Sequence, residues 1–199
     1  PPVTYSYMAL LVLMRHGESL WNFENRFTGG VDVPLTDTGR AEAHRAGKQL
    51  RQHRISVDSA YSSVLQRAAD TLDIVLSVLG PENIPTRRTP VLNERHYGEL
   101  QGMDKTEAAR VYGAKQVHIW RRSYADGPPD GESLKDVATR VLPYFQDNVL
   151  PQLVAGKNVL IVAHEHPLRA IIMHLEALIP EQLLQLELGV QRGGAFLGR

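Results

Sequence analysis

Two histidines in this chain stand at the ends of short apolar runs: His16 after Leu10 to Met14, and His164 after Val159 to Ala163. In open α/β sheets, ligands bind beyond the carboxyl ends of the strands. If the two runs are neighbouring strands, both imidazoles therefore face one crevice. Either histidine alone is better read as a strand-end residue satisfied by a backbone carbonyl. The surroundings shift that balance. Arg15 precedes His16, and Gly17 lets the backbone turn sharply behind it. Ser19 and Asn22 add small hydrogen-bonding groups to the same loop, and Thr28-Gly29-Gly30 offers backbone N–H groups to an anion. Arg67 falls near a helix N-terminus, where the helix dipole disfavours a cation unless an anion joins it. Imidazole is a nucleophile at neutral pH, and guanidinium forks match phosphate oxygens, so the set suits phosphoryl transfer. Arg121-Arg122 is a further cation pair, which by itself reads as a solvated face. A metal centre is the rival use of paired histidines, because His164 and His166 of a strand would share one face. However, His164-Glu165-His166 is not the His-Glu-x-x-His helix signature, and no carboxylate cluster completes the set, so metal chemistry ranks below phosphoryl transfer.

Composition narrows the classes. The chain has 199 residues, 43% hydrophobic and 22% charged, enough to bury a full core without staples. Lys+Arg and Asp+Glu are 22 each, so a dedicated nucleic-acid binder is not expected, although zero net charge still permits a local basic pocket. Cysteine is absent, which excludes disulfides, thiolate zinc sites and cysteine nucleophiles. The longest apolar run, Met8 to Met14, is too short to span a bilayer. The opening residues lack the basic-then-apolar order of a secretory signal, so a cytoplasmic protein is expected. No dinucleotide or P-loop glycine pattern is present.

The elements that must carry these residues alternate. Ala9 to Met14 and Val159 to Ala163 read as buried strands, and Val57 to Ser62 as a third. Thr36 or Asp37 caps a helix with Ala43, Ala46, Gly47 and Leu50 inward. Leu65, Ala68, Ala69, Leu72, Val75, Leu76 and Leu79 form one helical face, which Gly80-Pro81 stops. Residues 90–131 read as loops and short helices. Ser133 with Asp136 forms a capping box, ahead of a helix that Pro143 kinks. Pro167 suits the first turn of a last helix, with Leu168, Ile171, Ile172 and Leu175 inward. The pattern predicts an α/β fold, a three-layer sandwich with a mainly parallel sheet between helices, in one domain over residues 1–199.

Longer motifs then show a resemblance. Leu-Met-Arg15-His16-Gly17-Glu18-Ser19 with Trp21-Asn22 resembles the opening motif of the histidine phosphatase superfamily. Asn25-Arg26-Phe27-Thr28-Gly29, Ser63 to Ala68, Leu92 to Gly98, Gln116 to Tyr124 and Gly131 to Asp136 resemble, in order, the cofactor-dependent phosphoglycerate mutase family. The resemblance runs from about residue 10 to about residue 178. It implies that 3-phosphoglycerate and 2-phosphoglycerate are interconverted through phosphohistidine, primed by 2,3-bisphosphoglycerate and without a metal. His16 would be the nucleophile, with Arg15, Arg67 and His164 around the transferred group and Glu94 as general acid/base. Ser19, Asn22, Thr28 and Gly29 would hold phosphoryl group and substrate from the loop. Arg95, His96, Tyr97, Lys105, Arg121, Arg122, Glu165 and His166 would complete the substrate side. Six of the 22 cations would then converge (Arg15, Arg67, Arg95, Lys105, Arg121, Arg122), about balancing a bisphosphoglycerate of roughly −4 to −5.

The chain departs from the family in several places. His164-Glu165-His166-Pro167 stands where the family usually has His-Gly-Asn-Ser, Gly30 where it usually has Trp, and residues 124–131 follow its short forms. Residues 189–194 match the usual final strand poorly. A carboxylate facing the phosphate crevice would repel the ligand, so Glu165 is expected to turn to solvent or to Arg169, four residues on. A bisphosphoglycerate phosphatase or synthase, or a weakened binding protein, are the alternative readings. The short 124–131 link leaves monomer and homo-oligomer both open.

Overall fold

The computed structural model describes residues 9–177 and 196–198. Leu11–Arg15 (β1), Ser59–Ser62 (β2), Thr86–Arg88 (β3) and Val159–Ala163 (β4) run parallel in the order β3-β2-β4-β1. Phe196–Gly198 (β5) lies antiparallel on the free side of β1. The expected helix-flanked, mainly parallel sheet is therefore what forms. The third strand of the sequence reading starts at Ser59 rather than Val57, and the exposed Thr86–Arg88 strand was not foreseen. Three polar residues at a sheet edge carry no apolar alternation to betray them.

Period-two alternation sorts the core. Leu11 and Leu13 of β1, with Val159, Ile161 and Ala163 of β4, face one helical layer. That layer holds Leu134–Tyr144 (the sixth α-helix, α6) and Glu165–Leu175 (the eighth, α8). Val12, Met14, Leu160 and Val162 face the other layer, Asp37–Gln52 (α2) and Gln66–Leu79 (α3). Thr36 caps α2, Gly80 ends α3 in the left-handed conformation, and the Ser133–Asp136 capping box opens α6, each as expected. Beyond Pro143, which donates no N–H to the helical ladder, Phe145–Val149 widens into a π-turn before Leu150–Val154 (α7).

The last helix corrects one expectation. α8 starts at Glu165, placing Pro167 third, and Leu175 is 48% exposed at its end instead of inward. The stretch between the layers is a third apolar cluster around Phe27, Leu100, Ala108 and Val117. It holds Lys105–Tyr112 (α4) and Ala114–Arg122 (α5) together, and Leu20–Phe23 (α1) precedes it in the chain. Residues 1–8 and 189–194 lie outside the described residues.

Candidate active site

The parallel register of β1 and β4 builds the centre of the site. Arg15 pairs with Ala163, and the His16 N–H continues the ladder to the Ala163 carbonyl at 3.1 Å. The next residues, His16 and His164, therefore emerge together, with ring centroids 4.9 Å apart. Behind His16, α2 packs its N-terminus on the loop so closely that a Cβ on Gly17 would overlap the Gly39 carbonyl. Thr71 Oγ1 of α3 accepts the Gly17 N–H at 3.1 Å.

Ring partners assign the tautomers. His16 Nδ1–H donates to the Gly17 carbonyl at 2.7 Å, which leaves the Nε2 lone pair outward; Arg67 Nε donates to it at 3.3 Å. Burial, then the Arg67 and Arg15 guanidiniums, hold His16 well below its ordinary pKa, so its imidazole is neutral at pH 7. His164 Nε2 accepts from Ser63 Oγ at 2.7 Å, an assignment consistent with the Leu65 N–H donating to that same hydroxyl. Its Nδ1 is then a buried donor without a protein partner. Burial, then His16 and Arg67, also keep His164 well below its ordinary value.

Arg67, second in α3, is fully buried. Its terminal nitrogens donate to the Val31 and Gly29 carbonyls at 2.8 and 2.7 Å, and burial first of all lowers its pKa to about 10. It is thus locked to the Thr28-Gly29-Gly30 loop on one side and to His16 on the other. Gly29 needs its positive φ of 57° there, and a Cβ would press on Gln101 Oε1. Leu65 gives α3 no side-chain cap; the Gln66 N–H donates to Asp32, and the Val64 and Leu65 N–H groups that lead into the helix donate to Asn93 and Ser63.

Glu94 approaches from the 90–100 segment and meets the start of α8. Its Oε1 accepts from the Arg95 N–H at 2.9 Å, the His166 N–H at 3.3 Å and His166 Nδ1 at 3.0 Å. Burial pushes its pKa up, but His166, His164 and the Arg95 N–H outweigh that and hold it well below the ordinary carboxylate range. His166 is therefore helical and committed to Glu94, not paired with His164 across a strand face. Among the described residues, no group of three or more metal-ligating side chains that could hold an ion is present.

The substrate-side residues divide. Lys105 gathers with Arg121 and Arg15, and Arg122 reaches the start of α8. Burial, then Arg121 and Arg15, lower the Lys105 pKa, the mark of crowded cations. Glu165 pairs with Arg169 at 3.3 Å as expected, but the same oxygen reaches Arg122 at 3.4 Å, so it does not leave the crevice. Tyr97 packs edge-on to His166 and against Phe27.

Four expected ligand contacts have other work. Arg95 is wholly buried with terminal nitrogens on the Trp120 and Glu132 carbonyls, stacked on Tyr97 at 4.4 Å. His96 is exposed and accepts the Gly98 N–H. Ser19 and Asn22 face each other in the capping box of α1. For His96, Ser19 and Asn22 a local backbone group takes the polar side chain, whereas Arg95 is held by carbonyls distant in the chain.

Sequence reasoning gave no role to Ser63, Thr71 or the Glu132–Arg140 pair. Arg140 of α6 grips the Val91 and Asn93 carbonyls and the Glu132 carboxylate, which in turn accepts the His96 N–H. This pair sets the segment that carries Glu94. Its signal was present in the Gly131-Glu132-Ser133 motif, but motif membership does not say which carbonyl a guanidinium will find.

In the segments that meet at His16, Arg15 Nε, Thr28 Oγ1 and His164 Nδ1 are buried and have no hydrogen-bond partner among the described residues. Each such group costs about 1–3 kcal/mol, so the crevice suits an oxygen-rich anion placed against the His16 Nε2.

Known proteins agree with this geometry. Residues 11–192 match the model of the histidine phosphatase superfamily (branch 1). A 2,3-bisphosphoglycerate-dependent phosphoglycerate mutase of Rhodopseudomonas palustris is 51% identical over 90% of this chain and 87% of its own. A phosphoglycerate mutase of Schizosaccharomyces pombe is 50% identical over 90% of this chain and 85% of its own. Among solved structures, a mycobacterial glucosyl-3-phosphoglycerate phosphatase superposes with a TM-score of 0.78 at 27% identity, covering 90% of this chain and 85% of its own. The chain belongs to the histidine phosphatase superfamily, branch 1, and within it to the phosphoglycerate mutase family.

Proposed function

We propose that this chain is a phosphoglycerate mutase that interconverts 3-phosphoglycerate and 2-phosphoglycerate, primed by 2,3-bisphosphoglycerate, with a phosphoryl group carried on His16. The observation that carries the reading is the outward, neutral Nε2 of His16 amid unpartnered buried donors. The Nε2 lone pair forms the N–P bond as the ester P–O bond breaks. Arg15, Arg67 and His164 Nδ1–H stabilise the equatorial oxygens, and Thr28 Oγ1 is placed to join them. Glu94 holds the proton that the substrate oxygen gains or loses. Resting Glu94 is ionised, and a phosphate dianion beside it raises its proton affinity, so substrate arrival itself brings it toward its working range.

Lys105, Arg121 and Arg122 take the carboxylate and the second phosphate. Substrates of this kind are small phosphorylated three-carbon acids, and the reading requires no metal, nucleic acid or membrane. No helix among the described residues is long and apolar enough to cross a membrane. The cytoplasm is the compartment that goes with the proposed small-molecule substrates. The bisphosphoglycerate phosphatase reading draws on Glu165, whose charge stands beside Arg122. Turnover of 3-phosphoglycerate with and without 2,3-bisphosphoglycerate, with free phosphate measured in parallel, separates the two. A mutase forms 2-phosphoglycerate much faster than phosphate and only when primed. Phosphate release that outruns isomerisation would replace this reading with the phosphatase.

A further inference from the structure

Glu165 is the first residue of α8, and its carboxylate is held between two arginines of different character. Arg169, one turn on, is 2% exposed and fixed in the helix packing. Arg122, at the end of α5, is 32% exposed and reaches across from the other wall of the crevice. The carboxylate also lies within electrostatic range of Arg15 and Glu94, and its charge is felt by Lys105 and Tyr97. It therefore points among the groups of the mouth, not away from them. Arg15, Lys105, Arg121 and Arg122 form a cationic rim wide enough in charge for an anionic group beyond the transferred phosphoryl. Arg169 anchors the carboxylate from behind, so it competes for Arg122 without being free to swing out.

We propose that Glu165 is a specificity-determining residue: its carboxylate partly fills the subsite for a ligand's second anionic group, so it weakens the crevice's preference for a bisphosphate over esters with less distal charge. The proposal rests on the reading that esters meet His16 in this crevice. A bisphosphate must separate Arg122 from Glu165 before using it, whereas an ester with an uncharged tail need not. The bisphosphate is thus penalised relative to a simple monoester.

The test is a ratio. Phosphorylation of His16 by 2,3-bisphosphoglycerate and by p-nitrophenyl phosphate, which has no second anionic group, is measured for the wild type, Glu165→Gln, Arg122→Gln and the double variant. Glu165→Gln is expected to raise the bisphosphate-to-monoester ratio of kcat/KM by tenfold or more. Arg122→Gln should lower that ratio far more in the Glu165→Gln background than with Glu165 present, because only then is its charge available to the ligand. A smaller rise, or equal losses in both backgrounds, overturns the proposal. Each ratio is taken within one preparation, so a partly unfolded variant does not distort it. If neither donor phosphorylates His16, the phosphohistidine reading fails. The proposal is then tested alone by calorimetric Kd ratios for 2,3-bisphosphoglycerate against inorganic phosphate, with the same tenfold criterion.

Discussion

The ends of β1 and β4 are neighbours in register, each closes on a buried histidine, and each histidine is kept neutral by burial and nearby cations. Their surroundings nevertheless set them to opposite tasks. After β1 the chain turns through Gly17, whose carbonyl takes the Nδ1–H of His16 and leaves a lone pair on Nε2. After β4 the chain enters a helix at once, and Ser63 from the neighbouring strand end takes Nε2 of His164, leaving an N–H at Nδ1. One strand end presents a ring lone pair and the other a ring N–H. The partner of the far ring nitrogen decides which, a distinction the residue type alone does not carry.

The largest break in this comparison is His16→Ala. It removes the His16 Nε2 lone pair that the proposed function makes the phosphoryl acceptor, and both mutase turnover and acid-labile phosphorylation of the protein should vanish. Retained labelling by 2,3-bisphosphoglycerate would show that the nucleophile lies elsewhere. Glu94→Gln comes next. The amide keeps the shape but not the proton, so turnover should fall roughly 10²–10⁴-fold while a good donor still phosphorylates His16. Turnover close to wild type would assign the proton to another group.

Ser63→Ala sharpens the donor side. It frees Nε2 of His164 and unsettles the tautomer at the cost of about one hydrogen bond, near 1.4 kcal/mol or about tenfold in kcat/KM. An unaltered kcat/KM would mean that the phosphoryl group orients His164 unaided. His166→Ala should move the acid limb of the kcat profile upward in pH, because Glu94 loses the imidazole that helps hold its pKa down. A stationary limb would show that the α8 N-terminus and the other neighbours suffice.

The smallest effect is spectroscopic. With lowered pKa values, His16 and His164 should remain neutral as pH falls through 6.5, the ordinary imidazole value. The sign for stability follows: the unfolded chain binds those two protons near 6.5 and the folded one does not. Their contribution is thus present above 6.5 and is lost as pH falls from there toward the folded values. Two-dimensional imidazole NMR checks this directly, and a His16 midpoint near 6.5 would contradict it.

Much of this arrangement was legible in the sequence. Unbroken apolar runs at 10–14 and 159–163 announced central strands, and regular helical spacing announced α3, because burial on both faces or on one leaves a periodic trace. Thr36, Gly80 and the Ser133–Asp136 pair were legible as caps for the same local reason. What stayed hidden depends on contacts distant in the chain. Arg95 reads like any ligand-gripping arginine until the Trp120 and Glu132 carbonyls are folded onto it. Ser63 becomes a partner of His164 only when β2 and β4 pair. His166 could be read as a second strand-end histidine because Pro167 marks the first turn of the helix without fixing its first residue, which is Glu165.

The account turns on His16 as the carrier of the phosphoryl group. Brief incubation with 2,3-bisphosphoglycerate labelled in its phosphates, then acid-free proteolysis and mass spectrometry, locates that group, and a chase with unlabelled 3-phosphoglycerate follows its departure. The account predicts one phosphorylated peptide, modified at His16, whose label passes to phosphoglycerates on the chase faster than it appears as free phosphate. Label on another residue, or label at His16 that leaves only as free phosphate, would contradict it.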